Sequence, residues 1–161
     1  MRIDRQLSIA SQSPVRHFAP PLIRVADASD AHFVSEMVGH DASEYMARVT
    51  TLLTPHGFFF LEPITSSVLE AHMAFRLNGR GKSALHAARE GLRYAFTELG
   101  ALVVFGRIPV EDRAARLFTR IIGLKSDGIR PSQPDGPLVE WFEVRADIFM
   151  KGYAPSHPLL P

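Results

Sequence analysis

Cysteine is absent from the 161-residue chain. Its absence excludes disulfides, thiolate nucleophiles and cysteine-based zinc sites, and it is compatible with an intracellular origin. Neither sign of charge is in excess, because 18 Lys and Arg stand against 17 Asp and Glu, so a nucleic-acid partner is not expected. Long apolar runs are also missing, and no run approaches the ~20 residues that a membrane span needs. The N-terminus has no continuous apolar segment of the kind found in a secretory signal.

The composition is that of one soluble globular domain, with 46% hydrophobic and 22% charged residues. Residues 1–20 show no hydrophobic period and are predicted to form an N-terminal arm. Residues 151–161 contain three prolines and are predicted to form a C-terminal tail. The domain itself is expected over residues 21–150.

Apolar runs and helical spacings alternate within that domain and predict the order β-α-α-β-β-α-β-α-β. This mixture of hairpin and crossover connections indicates an α/β (α+β) fold with a mixed sheet and helices packed on it. The three phenylalanines after Gly57 suggest a buried strand, with one ring pointing away from the core and free to meet a partner. The predicted strands are 22–25, 57–61, 68–76, 101–105 and 137–144; the predicted helices are 30–38, 45–53, 82–99 and 111–122; residues 126–137 are predicted to be a loop.

A basic, glycine-containing loop joins the strand 68–76 to the helix 82–99. Free N–H groups and the positive dipole end of a helix suit an anion, and glycines let its backbone approach closely. The alternative is an ordinary helix start with solvated charges.

This strand, loop and helix resemble the GNAT superfamily of N-acetyltransferases, in which the loop follows the pattern R/Q-x-x-G-x-G/A. The resemblance covers roughly residues 23–144 and implies a mostly antiparallel sheet and acetyl-CoA as cofactor. Two placements of the motif exist. Arg76 to Gly81 matches it letter by letter, whereas a start at Arg80 gives family-like spacing to Gly100 and Gly123. The spacing across the whole unit favours the second placement, with Leu85 turned into the core.

The resemblance implies which residues would hold the cofactor. The loop would cradle the phosphates of CoA, the backbone of two strand residues would face the acetyl group and pantetheine arm, and Asp112 would contact the cofactor or cap its helix. These cofactor-binding candidates are Met73, Phe75, Arg80, Gly81, Lys82, Ser83 and Asp112.

Three residues are candidates for catalysis. Glu70 and His72 lie two apart, so they share a strand face, and either could accept the proton of an amine directly or through water. Thr119 stands where the family has a tyrosine that protonates the leaving thiolate, and its hydroxyl is a much weaker acid. The resemblance is therefore to a member with eroded catalytic motifs. No metal site is expected, because the histidines His17, His32, His40, His56 and His157 show no ligand spacing.

Two functions follow from these observations. The first is an acetyl-CoA-dependent N-acyltransferase acting on an amine, whose catalytic activity the sequence leaves open. The second is a non-enzymatic component of a phage particle, because the helix segment of this short chain is also similar to small phage-encoded GNAT-like proteins. The terminal arms would then contact other particle proteins or further copies of the chain. The expected location is the bacterial cytoplasm for the first function and the virion for the second.

Overall fold

The computed structural model describes residues 22–152, which form a seven-stranded sheet with helices on both faces. The strands lie in the order β1-β2-β3-β4-β5-β7-β6. They are β1 (Arg24–Val25), β2 (Thr50–Thr54), β3 (Gly57–Pro63), β4 (Val68–Phe75), β5 (Val103–Pro109), β6 (Lys125–Pro131) and β7 (Leu138–Arg145). The helices are α1 (Ala31–Val38), α2 (Ser43–Met46), α3 (Lys82–Thr97), α4 (Arg113–Ile121) and α5 (Ala146–Gly152). This is the mixed, mostly antiparallel sheet flanked by helices that the sequence predicts.

The sheet splits between β4 and β5, the one parallel pair among its neighbouring strands. These two strands pair only where Val68–Glu70 meets Val103–Phe105. Beyond that point β4 pairs with β3 alone, as far as Phe75, and β5 pairs with β7 alone, as far as Pro109. A gap therefore opens in the sheet toward the end of β4, where the loop to α3 begins.

Apolar side chains cover both faces of the sheet. On the face that we call the α3 side, Phe59, Leu61, Val104 and Phe142 pack against α3 and belong to the larger buried cluster. On the opposite face, the α1 side, a smaller buried cluster joins the sheet to α1 and α2; it comprises Val34, Ala42, Leu53, Phe58 and Phe60. Because all three phenylalanines of β3 are buried, the expectation that one of them meets a partner is wrong.

Three elements differ from the sequence prediction. The predicted helix 45–53 is wrong beyond Met46, because residues 50–54 form β2. The predicted loop 126–137 contains β6, whose residues are all exposed and which pairs with β7 through its backbone. The chain also continues as α5 to Gly152, two residues past the expected domain end. The predicted N-terminal arm and the tail beyond Gly152 lie outside the described residues. None of the described helices has the length and apolar composition to cross a bilayer.

Candidate functional site

A cavity of about 720 Å³ lies at the end of β4, where the sheet has split. Its wall combines β4, the loop after it, the first turns of α3 and α4, and one face of α1. The lining residues are Glu36, Met37, Met73, Ala74, Phe75, Arg76, Leu77, Arg80, Gly81, Ala84, Asp112, Ala114, Ala115 and Phe118. Five of the seven predicted cofactor-binding residues are therefore brought together here.

The loop from Arg76 to Gly81 connects β4 to α3 and contains both glycines of the letter-by-letter motif. Gly79 packs so closely that an added Cβ would lie 2.1 Å from the Cβ of His56. Gly81 has a φ of 82°, which side chains disfavour, and nothing stands within 4 Å of an ideal Cβ there. The placement that starts at Arg76 thus occupies the loop itself, whereas the favoured placement starting at Arg80 falls largely on the first turn of α3. Leu85 packs against the core, as expected.

The start of α3 is open to an anion. Gly81 is its N-cap and offers no side chain to the free N–H groups of the first turn, and that turn contains no acidic residue. Arg80 lines the cavity and forms no ion pair within residues 22–152. Arg76 also lines it, but its guanidinium contacts Glu36 at 3.1 Å. The predicted phosphate-binding residues Lys82 and Ser83 are exposed and do not line the cavity.

Helix α4 presents apolar side chains to the cavity. Asp112 caps it, because its Oδ1 accepts a hydrogen bond of 2.9 Å from the N–H of Ala115. Phe118 lines the cavity and its ring lies 6.0 Å from that of Phe75. Thr119 points elsewhere and is only 4% exposed. The structure does not bring this proposed acid to the site, because the helical turn directs Phe118 there instead.

The Glu140 cluster anchors α4 to the sheet on the α3 side. Glu140 is buried on β7, and its two carboxylate oxygens accept hydrogen bonds of 2.5 and 2.6 Å from Arg116 and Arg120. Burial would raise the pKa of Glu140, but hydrogen bonds from Ser126 and Arg116, with the charges of both arginines, lower it below its usual range. We interpret this cluster as structural.

Glu70 is buried on the α1 side of β4 and is bound by an arginine that the sequence analysis missed. Its two oxygens accept hydrogen bonds of 2.6 and 2.7 Å from Nε and a terminal nitrogen of Arg107 on β5. The hydrogen bond to Glu70 is the main reason that the pKa of Arg107 is raised. With both oxygens held in this fork, Glu70 is poorly suited to act as a general base.

His72 shares the strand face of Glu70, as predicted, and is more accessible. Its Nε2 lies 3.8 Å from Glu70 Oε1 and 3.7 Å from Glu62 Oε2, and its side chain is 43% exposed. Tyr45 of α2 donates a hydrogen bond of 2.7 Å to Glu62. Burial, followed by that hydrogen bond, raises the pKa of Tyr45, so its phenol stays protonated. We call Tyr45, Glu62, Glu70, His72 and Arg107 the polar cluster.

The polar cluster lies farther back along β4 than the cavity, and none of its five residues lines the cavity wall. Ala74, a lining residue, follows His72 by two positions and so lies on the same face of β4. Two carboxylates and one guanidinium leave the cluster with one net negative charge while His72 is neutral. Glu62 was not among the predicted site residues, because it lies one position beyond the predicted strand 57–61; in the observed hairpin it pairs directly with Glu70. Counting the pairs of that hairpin back from its turn could have found it.

Comparison with known proteins gives a fold and no closer relationship. No protein-family model and no curated protein sequence matches the chain. Solved structures that it resembles include two point mutants of the spermidine N-acetyltransferase SpeG from Vibrio cholerae. Each is 13% identical and aligned over 81% of this chain; one is covered over 98% of its own length with a TM-score of 0.70, the other over 96% with a TM-score of 0.71. At 13% identity, this structural similarity shows the fold alone. The described part of the chain has the GNAT fold.

Proposed function

We propose that the chain is an acyl-CoA-dependent N-acyltransferase. The observation that carries this proposal is the split between β4 and β5, which opens into a cavity of about 720 Å³ next to the uncapped start of α3. A cavity of this size, whose wall combines apolar side chains with the charged Glu36, Arg76, Arg80 and Asp112, is large enough for a small-molecule ligand. The resemblance to acetyltransferases of known structure supports the same reading.

The residues at the cavity fit a CoA thioester, which would supply the activated acyl group. The N–H groups at the start of α3 and the guanidinium of Arg80 suit its phosphates. The exposed backbone edge of β4 at Met73 and Phe75 suits the amide groups of a pantetheine arm, because β5 has separated from it there. Gly81 leaves the start of α3 accessible, because no other atom lies within 4 Å of where its Cβ would be.

The polar cluster suits the acceptor. Its net negative charge favours a cationic amine, and the carboxylate of Glu62 is accessible to pair with an ammonium group. A cationic amine loses two protons in the reaction. His72 would accept the first, which makes the amine a nucleophile, and the second would pass to solvent as the amide bond forms and the thioester C–S bond breaks. Glu70 and Arg107 would hold the shape of this wall. Because Thr119 is buried, the leaving sulfur would take its proton from solvent.

The acetyltransferases of similar fold are described as acting on spermidine, and a polyamine is a reasonable first acceptor to test. The alternative role in particle assembly depended on the similarity of the helix segment to small phage-encoded proteins and on the terminal arms, which lie outside residues 22–152. No observation on the described residues favours that role, so we propose acyl transfer alone.

Calorimetric titration of acetyl-CoA into the protein tests the binding step. We expect Arg80→Ala to weaken binding at least tenfold, since a charge-assisted hydrogen bond contributes about 1.5–3 kcal/mol. Lys82→Ala is the matched control: it removes the same charge two residues away, from a side chain that does not line the cavity. Equal losses in both variants, or no binding by the unmodified protein, would reject the site.

A thiol-release assay tests the chemistry. Free CoA can be detected with a thiol reagent without background, because the protein itself has no cysteine. With spermidine as acceptor, we expect His72→Ala to lower kcat while the affinity for acetyl-CoA stays unchanged.

A further inference from the structure

The cluster that we assign to the acceptor also has the donors of a metal site, although the sequence predicts none. Nε2 of His72, one oxygen of Glu62 and one of Glu70 all lie within 4.8 Å of one another. We propose that these three residues bind one Zn²⁺ ion. The proposal does not depend on acyl transfer.

The distances favour a shared ion over direct hydrogen bonds. The imidazole nitrogen lies 3.7 and 3.8 Å from the two carboxylates, beyond the ~3.2 Å of an N–H···O hydrogen bond. Ligand atoms about 2.1 Å from a tetrahedral zinc ion are roughly 3.4 Å apart. A shift of roughly half an ångström would bring His72 to the right distance from each carboxylate. The two carboxylate oxygens lie within 4.8 Å of each other, so they would have to approach by up to about 1.4 Å, and a fourth position would be left to water.

Neighbouring side chains already orient two of the ligands. Tyr45 holds Glu62 through its hydroxyl at 2.7 Å, and Arg107 holds Glu70 at 2.6 and 2.7 Å. Such outer contacts fix carboxylate ligands in metalloproteins. Arg107 also neutralises one negative charge, which keeps the expected affinity below that of a structural zinc site.

The donor set selects among metals. Mg²⁺ and Ca²⁺ prefer oxygen ligands alone, whereas an imidazole with two carboxylates suits Zn²⁺. Bound zinc would stand where the acceptor amine is proposed to enter, so the two cations would compete. The test therefore measures metal binding directly and needs no turnover.

Calorimetric titration of ZnCl₂ into the full-length protein, together with NMR of the histidine rings, tests the proposal. We expect one ion per chain, a shift of the His72 ring signals, and binding weakened at least tenfold in His72→Ala and in Glu62→Gln. His86→Ala is the matched control, because His86 is exposed on α3 away from the cluster, and its affinity should equal that of the unmodified protein.

Three outcomes would overturn the site. These are unchanged affinity in folded His72→Ala, ring shifts confined to other histidines, and an absence of saturable binding at one ion per chain. Both ligand side chains chosen for substitution are more than a third exposed, so their variants should fold. Far-UV circular dichroism checks this before the titrations.

Discussion

Removing Arg107 would leave the buried carboxylate of Glu70 without its partner, and the effect on the free energy of unfolding can be worked out from the structure. Glu70 is 2% exposed and both of its oxygens pair with this one guanidinium. Breaking a buried pair by removing one partner costs about 3–5 kcal/mol, because the other charge stays buried. Since the Arg107 side chain is itself 35% exposed, water can reach the gap. We therefore expect Arg107→Leu to lower the free energy of unfolding by about 3 kcal/mol, the lower end of that range.

Urea unfolding followed by circular dichroism measures this loss, and a chain of this size should also lose roughly 6–12 °C in Tm. Arg130→Leu is the matched control. Arg130 lies over the ring of Trp141, as Arg107 does, but its ion-pair partner Asp127 is 57% exposed, so the loss of Arg130 should cost less than about 1 kcal/mol. The double variant Glu70→Leu, Arg107→Leu should be more stable than Arg107→Leu alone. A loss below about 1 kcal/mol in Arg107→Leu, or no recovery in the double variant, would refute the reasoning and return Glu70 to the list of candidate bases.

Two further predictions concern stability and can be checked by the same unfolding assay. Gly79→Ala should cost about 3 kcal/mol, because the new Cβ would meet His56 at 2.1 Å, and a cost below about 1 kcal/mol would contradict the packing. Gly81→Ala should cost about 1–3 kcal/mol, because its φ of 82° and ψ of −136° lie in a backbone region that residues with side chains rarely adopt. The Glu140 cluster should stabilise the fold above the ordinary carboxyl pKa of 4.5 and lose this contribution as the pH falls toward the lowered folded value. The free-energy difference between the unmodified protein and Glu140→Gln should therefore shrink on acidification, and a constant difference would count against the cluster.

The sequence predicts the centre of this fold well, because its strongest patterns lie there. The hairpin of β3 and β4, the loop after it, and α3 follow one another between turn residues, and α3 has a wide apolar stripe. These elements carry most of the cavity wall. The position of the cavity could therefore be predicted, together with Met73, Phe75, Arg80, Gly81 and Asp112.

The two strands that were not predicted, β2 and β6, lack the sequence pattern that is typical of a strand. In β2, Leu52 faces the α3 side and Leu53 the α1 side, and both are buried. A strand covered on both faces has no alternation of polar and apolar residues, so its run fits a helix equally well. In β6 every residue is exposed, and its place in the sheet depends on backbone pairing with β7. Such a strand leaves no hydrophobic signal.

The site chemistry was harder to predict than the fold. Arg107 follows Glu70 by 37 positions and meets it only because β4 and β5 are neighbours in the sheet. Thr119 was placed by spacing along the chain, whereas the rotation of α4 decides which side chain enters the cavity. Backbone geometry favours the placement that starts at Arg76, because Gly79 packs against His56 and Gly81 has a positive φ. The placement that starts at Arg80 has Ser83 and Leu85, both in α3, where the motif has small residues.

Opposite charges lie on the two sides of the split in the sheet. Arg80 and the start of α3 present positive charge and N–H groups at one end of the cavity, while Glu62 and His72 lie in a net negative cluster beside β4. An anionic thioester and a cationic amine would therefore be attracted to different ends, and each would be repelled from the place of the other. Beyond Glu70, β4 and β5 are no longer paired, so the gap between them connects the positively charged end of the cavity with the side of the sheet that holds the polar cluster. If acyl transfer occurs in this protein, the electrostatics thus favour its two substrates meeting at the gap, and a cation that fills the polar cluster would block the amine without displacing the thioester.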